Sequence, residues 1–365
     1  MSDHKEDFII QPQINQDINP DSLPEFYKPL SRISTDVDFE KDGKQVSFIR
    51  VPHSRNDSAW GSILIPIVVY KNGTGPTILL TGGIHGDEYE GPIALSLLTR
   101  TLKLEQVQGR VIILPAVNLP ALMNDSRLSP IDNLDLNRSF PGNRDGSPTQ
   151  AIAHYLDKIL LPLTDIVVDL HSGGKSLDFV PSIAMHRLND KKQYDDTYKA
   201  LMAFGAPYGF IHSEVDGDGT FDTTAENKGD VFLFSELRGG GTVSVEGVQV
   251  ARNGIRNILE HFEIAELPKI KAPHWNARQT QVILDTSHSD SYVRALTEGI
   301  FEPFFELGHE VKKGKSIGRI HFMQNMNKKP VTIQAQHSGI IVGKRAMGWV
   351  SQGDCLAVIG NEIKG

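Results

Sequence analysis

Cysteine is nearly missing from this chain: there is one, Cys355, in 365 residues. A single thiol makes neither an intrachain disulfide nor a multi-thiolate metal site. Stability must therefore come from a buried core, and any metal must be held by His, Asp or Glu. Basic charge is also short. Lys and Arg total 37 against 45 Asp and Glu, a net charge of −8, and no Lys/Arg-rich block interrupts the balance. That argues against a nucleic-acid partner. Long apolar runs are lacking as well: the longest, Ile63 to Tyr70 and Thr77 to Thr81, are strand-sized, so no membrane span is expected. Met1 to Pro20 is polar and acidic with no apolar segment of signal-peptide type, and the expected location is the cytoplasm.

A chain of this length buries a core without staples and divides into two or three folding units. Residues 1 to about 35 are polar and hold Pro12, Pro20, Pro24 and Pro29, which reads as a weakly ordered arm or one laid across a neighbour. Short alternating stretches follow, Val46 to Val51 after an Asp42-Gly43 turn and then Trp60 to Tyr70, giving a small β region over residues 1–70 together with the arm. Residues 71–270 read as α/β. Buried strands are predicted at Thr77 to Thr81, Val111 to Val117, Ile166 to Leu170 and Val231 to Phe234, with helices at Gly91 to Leu104 and Gln150 to Leu160. Strands alternating with helices imply a mixed, mostly parallel sheet covered by helices on both faces. The loop from Asn118 to Pro148 is long enough to be functional in its own right.

Residues 280–365 differ. Gly299-Ile300-Phe301, Val311-Lys312-Lys313-Gly314, Ile317 and Ile320 are echoed by Gly339-Ile340-Ile341, Val350-Ser351-Gln352-Gly353, Leu356 and Ile359. This two-fold repeat predicts a small β barrel or sandwich like the biotinyl/lipoyl carrier domains. The lysine flanked by methionines that carriers modify is absent, so the domain is expected to serve as a wall of the active site or as the contact surface of a homo-oligomer.

The chemistry-bearing residues recur where apolar strands end in glycines. His85 and Glu88 form an H-x-x-E pair in Gly82-Gly83-Ile84-His85-Gly86-Asp87-Glu88, after a strand and before a helix, where ligands of open α/β sheets bind. His171 ends Ile166-Val167-Val168-Asp169-Leu170-His171, with Asp169 two residues back and placed to orient it. A His/Glu/His set with one open position is a catalytic zinc arrangement. In the long loop, Arg127 is a candidate to polarise a scissile carbonyl, and Asn137 and Arg138 to bind a substrate and its carboxylate. A proton acceptor is still required. Glu236, at the end of Phe232-Leu233-Phe234-Ser235-Glu236 and followed by glycines, is favoured; Glu246, in a β-like stretch Val243 to Gly247, is its competitor.

His85-x-x-Glu88, Asp135-Leu136-Asn137-Arg138, Asp169-Leu170-His171 and Ser235-Glu236-Leu237-Arg238 stand in the order seen in the succinylglutamate desuccinylase/aspartoacylase family, relatives of zinc carboxypeptidases. The chain resembles that family over roughly Thr77 to Gly247, and its C-terminal β region is similar too. The resemblance implies a zinc-carboxypeptidase-like fold and one Zn²⁺ per chain held by His85, Glu88 and His171. It also implies Glu236 as base, Arg127 assisting the carbonyl, Asn137 and Arg138 on the substrate, and hydrolysis of a linear amide in a small N-acyl amino acid. Within the family, Pro52 to Gly61 and Gly86 to Pro92 look like the ectoine-degradation branch, whose members deacetylate Nα-acetyl-L-2,4-diaminobutyrate. An acidic loop, Glu214, Asp216, Asp218 and Asp222, is a candidate receiver for that substrate's side-chain ammonium. Other N-acyl amino acids, peptides, or a non-catalytic binding role are the rival readings.

Overall fold

The strands Thr77–Gly82, Gly109–Leu114 and Ile166–Leu170 are buried at every position, as strands covered on both faces must be. With Val231–Glu236 they form a parallel block in the spatial order Gly109–Leu114, Thr77–Gly82, Ile166–Leu170, Val231–Glu236. These elements belong to a computed structural model that describes residues 29–213, 219–268 and 281–363. All those discussed lie in one compact unit, Ser31–Gly365; most of the arm, residues 1–28, falls outside the described residues.

On one side of the parallel block the hairpin Gly43–Pro52/Ser62–Asn72 pairs antiparallel onto Gly109–Leu114. The N-terminal β region is thus continuous with the main sheet. On the other side Ser182–His186 joins Val231–Glu236 antiparallel, followed by Tyr208–His212 and Val282–Asp285 in parallel. The sheet is mixed, with its parallel pairings confined to two blocks. Ser182–His186, Tyr208–His212 and the intervening helix Lys191–Phe204 were not anticipated. Both strands are only five residues long, end in histidine and carry few β-branched residues, so neither presents the long apolar run that marks a buried strand.

Alternation along the strands splits the core in two. Ile78, Leu80, Val111, Ile113 and Val168 face the helices Glu90–Thr101, Lys191–Phe204 and Val245–His261 through residues such as Leu95, Leu201 and Ile255. Leu79, Ile112, Val167 and Phe232 face the opposite way, onto Ala151, Ile152, Leu136 and Phe221. Helices therefore cover both faces, as the sequence predicts. The stretch around Glu246 is not β-like: Ser244 caps the helix Val245–His261, its Oγ accepting from the Gly247 amide at 3.1 Å, and Glu246 lies in the first turn.

The C-terminal repeat is visible in the pairing. Gly299–Pro303 pairs with Ser316–His321 of its own half and Trp349–Val350 of the other; Gly339–Arg345 pairs with Cys355–Glu362 of its own half and Glu310–Val311 of the other. Phe301, Ile317 and Ile320 of the first half share one apolar cluster with Ile341, Leu356 and Ile359 of the second. Cys355–Glu362 also pairs with Val282–Asp285, and Gly339–Arg345 with Leu177–Phe179, which joins this region to the α/β sheet. No helix among the described residues is long and apolar enough to cross a membrane.

Candidate active site

Strand register gathers the site. Gly82 stands opposite Leu170, and Asp169 opposite Phe234, so the chain beyond each strand end emerges at one edge of the parallel block. The same register brings Glu236 level with His171. Two bonds seal the junction: the Leu237 amide donates to the His171 carbonyl at 3.0 Å and the His171 amide to Ser235 Oγ at 3.1 Å. Gly86 is required for packing, because a Cβ there would lie 1.9 Å from the Ala121 carbonyl carbon. The turn carrying His85 is thus pressed against the helix Leu119–Met123.

His85, Glu88 and His171 are all buried and offer ligand atoms within 4.8 Å of one another. Glu88 Oε1 lies 2.8 Å from His85 Nδ1, and Oε2 2.9 Å from His171 Nδ1. The outer nitrogen of each imidazole is held by a further carboxylate: His171 Nε2 by Asp169 Oδ2 at 2.7 Å, His85 Nε2 by Asp135 Oδ1 at 3.2 Å. Asp169 is in turn fixed by the Thr81 hydroxyl at 2.7 Å. This is the arrangement that directs an imidazole's inner nitrogen at a cation, with the outer carboxylates setting tautomer and basicity. The charge balance fits a cation as well. Burial opposes charge on His171, yet the Asp169 and Glu88 carboxylates overcome it and hold its pKa well above the ordinary value. Burial likewise opposes ionisation of Glu88, but both histidines hold its pKa below the usual range.

The long loop closes over this set. Arg127 Nε donates to Asp135 Oδ2 at 3.0 Å, so Asp135 bridges His85 and Arg127. Asp135 is opposed by burial, but its hydrogen bond to His85, with the nearby charges of His85, Arg127 and Arg138, keeps it ionised. No role for Asp135 was read from the sequence beyond its place in the motif; an acidic residue in a polar loop carries no mark of what it will touch. Asn137 Oδ1 accepts from the Phe221 amide at 2.9 Å, which turns its NH₂ into the remaining polar end. Arg138 Nη1 donates to the Asn137 carbonyl at 2.7 Å.

Glu236 and Glu246 line different cavities. Glu236 borders the same cavity as the His/Glu/His set. Its Oε2 is closed off from solvent and has no hydrogen-bond partner among the described residues. Burial, reinforced by the Glu88 charge, pushes its pKa up to about 8. Glu246 borders a different cavity, beside Asp178 and Arg238. The cavity at Glu236 has a volume of about 370 Å³ and is lined by all seven sequence-predicted residues, His85, Glu88, Arg127, Asn137, Arg138, His171 and Glu236. It is also lined by His186, His212, Asp222 and, from the C-terminal region, Tyr292, none of which except Asp222 was singled out beforehand. Glu214, Asp216 and Asp218 of the acidic loop lie outside the described residues.

Carboxylates of one site loop also clamp the other. Asp87 Oδ2 accepts from the Lys175 amide at 2.8 Å, Glu88 Oε2 from the Ser172 amide at 3.1 Å, and Glu90 Oε2 from the Ser172 hydroxyl at 2.7 Å. Glu90, fully buried, also accepts from the Ser244 amide at 2.9 Å.

Residues 74–262, half the chain and all of this constellation, match the model of the succinylglutamate desuccinylase/aspartoacylase catalytic domain. The chain belongs to that family. It is 42% identical over 334 residues to the N-alpha-acetyl-L-2,4-diaminobutyric acid deacetylase of Halomonas elongata, covering 92% of this chain and 96% of that protein. Among solved structures, the product-bound ectoine utilization protein EutE (DoeB) of Ruegeria pomeroyi matches with a TM-score of 0.85 and 43% identity over 90% of this chain and 98% of that one. A succinylglutamate desuccinylase/aspartoacylase of Rhodobacter sphaeroides matches with a TM-score of 0.86 and 44% identity over 92% and 100%. Family members of this similarity share one architecture, a large mixed sheet with a second antiparallel sheet, and the present chain has it.

Proposed function

We propose that the protein is a zinc-dependent deacetylase that hydrolyses Nα-acetyl-L-2,4-diaminobutyrate to acetate and the free diamino acid. The observation that carries the reading is the buried His85/Glu88/His171 set sharing one cavity with Glu236. The substrate follows from the near full-length identity to the Halomonas deacetylase.

His85 and His171, whose Nδ1 atoms face Glu88, would hold the metal together with that carboxylate. When bound, zinc polarises the acyl carbonyl and makes a water acidic enough to be a nucleophile near neutral pH. Glu236 takes the proton of the attacking water, and later delivers it to the nitrogen that leaves. A carboxyl oxygen at the cavity without a hydrogen-bond partner among the described residues is placed to exchange a proton with the attacking water and then with the leaving nitrogen. Arg127, aligned by Asp135, donates to the carbonyl oxygen as it gains negative charge. Arg138 receives the α-carboxylate and the Asn137 NH₂ a neighbouring acceptor. Asp222, in the first turn of Phe221–Glu226 and on the cavity wall, adds negative potential for the side-chain ammonium. We assign the enzyme to the cytoplasm as a homo-oligomer, with the C-terminal β region a barrel-sandwich that completes the cavity wall.

The test is metal analysis combined with product release from Nα-acetyl-2,4-diaminobutyrate, N-acetyl-aspartate, N-succinyl-glutamate and a short acetylated peptide. One zinc per chain and selective release from the diaminobutyrate derivative is the expected result. Zinc with preference for another member discards the substrate and keeps the chemistry; no metal uptake and no hydrolysis sinks the reading.

A further inference from the structure

Two imidazoles border the cavity that hydrolysis does not use. His186 and His212 end neighbouring parallel strands and stand opposite each other in register. From Ser182, which faces Glu236, the strand runs on to His186, a distance of ~13 Å at ~3.3 Å per residue. These histidines thus lie at the far end of the cavity from the hydrolytic centre, where the part of a substrate remote from its acyl group must lie.

The two are held differently. His186 Nδ1 sits 2.9 and 3.1 Å from the two carboxylate oxygens of Glu226. Among the described residues the His212 ring has hydroxyls as its hydrogen-bond partners: its Nδ1 is 2.9 Å from Thr286 Oγ1 and 3.3 Å from the Tyr292 hydroxyl. The Thr286 hydroxyl also reaches the Ile211 carbonyl at 3.4 Å. A chain running from Nδ1–H to Thr286 Oγ1 and from the Thr286 hydroxyl to the Ile211 carbonyl is the tautomer assignment that uses both Thr286 contacts. It leaves Nε2 of a neutral ring with a lone pair, and that atom makes no hydrogen bond to any described residue. Burial first, then the charge of His186, presses the His212 pKa down to about 3, so the ring stays neutral. Its face is stacked on Phe234, centroids 5.5 Å apart, with Phe210 edge-on at 5.9 Å. This acceptor is set among aromatic rings, in a cavity also lined by Asp222, the Tyr292 hydroxyl and the Arg294 guanidinium.

We propose that His212 is the specificity-determining residue of this cavity, its Nε2 accepting a hydrogen bond from the side-chain ammonium of the diamino acid substrate. The inference rests on the deacetylase reading and narrows it to substrates bearing a terminal amine.

The experiment compares kcat/KM for Nα-acetyl-2,4-diaminobutyrate with that for Nα-acetyl-2-aminobutyrate, the same carbon chain without the amine, in wild type, His212→Phe and His212→Gln. Metal content and melting temperature are followed in each. The Phe variant should lose at least ~10-fold on the diamino substrate and change less than ~3-fold on the other, because a site built to accept a hydrogen bond discriminates through that bond. The Gln variant, which restores an acceptor oxygen, should recover part of the loss, and it decides the matter if the Phe variant does not fold. An equal fall on both substrates assigns His212 a structural role and overturns the proposal, as does no change on either. Wild-type protein that hydrolyses neither compound sinks the deacetylase reading itself; wild type that works alongside indifferent variants sinks the assignment of His212 alone.

Discussion

Among single residues, Glu236 carries the most exposed consequences. Glu236→Gln keeps the shape and removes the proton acceptor, so kcat should fall by ~10²–10⁴-fold while bound metal stays stoichiometric; retained turnover would exclude Glu236 as base. The same substitution should stabilise the metal-free protein. A Glu whose folded pKa is raised from 4.5 to about 8 binds its proton more tightly folded than unfolded. The stability this lends is present in full below pH 4.5 and is lost as pH climbs to about 8. In metal-free protein the melting temperature of wild type should therefore drop between those limits relative to the Gln variant. By pH 8 the gap should be roughly 2–4 kcal/mol, and parallel melting curves across the range would show that the carboxyl is not so held. His85, Glu88, His171 and Glu236 were readable in the sequence because each follows an apolar strand and precedes glycine. Asp135, His186 and His212 were not, since their significance lies in what long-range folding places beside them.

Between elements, the site depends on how two loops are fastened. Glu90 accepts from two donors at once, the Ser172 hydroxyl and the Ser244 amide, in a pocket where Gly247 leaves no space for a side chain against it. Two donors demand two acceptor oxygens, which a carboxylate has and an amide lacks. Burial raises the Glu90 pKa, and the bonds from Ser172 and Ser244 act against that rise. Glu90→Gln turns an NH₂ toward one of these donors, at a cost of ~1–3 kcal/mol. Because Ser172 follows His171, metal affinity should weaken by ~10–100-fold, measured by competition with a chromogenic chelator; unchanged affinity would show the clamp to be incidental. The strands that carry His85, His171 and Glu236 were legible as apolar runs. The stretch Val243 to Gly247 reads as β because Val243 and Val245 alternate, whereas the Ser244 cap and the buried stripe of Gly247, Val250, Ala251, Gly254 and Ile255 decide for helix.

At the scale of the molecule, the internal repeat announced a β region of two similar halves but not its attachment. The repeat sets residues 280–365 apart in the sequence, and a repeat says nothing about which edge strand meets which. The pairing does: Val282–Asp285 extends the sheet beyond Tyr208–His212, Cys355–Glu362 extends it further, and Leu177–Phe179 is held by Gly339–Arg345. Phe179, Phe210 and Ala184 on one side of that boundary form a single apolar cluster with Leu284, Val342 and Val358 on the other. Truncation before Val282 would strip a sheet edge and expose this cluster, both of which promote aggregation. It would also remove Tyr292 and Thr286 from His212, leaving the far wall of the cavity open. A chain ending near residue 268 is therefore expected to be aggregated or molten and inactive on every acyl amino acid tested, as judged by light scattering, near-ultraviolet circular dichroism and amine release. A soluble, cooperatively melting truncation that still hydrolyses Nα-acetyl-2-aminobutyrate would show that the α/β portion is self-sufficient and that the C-terminal strands serve only the substrate's side chain.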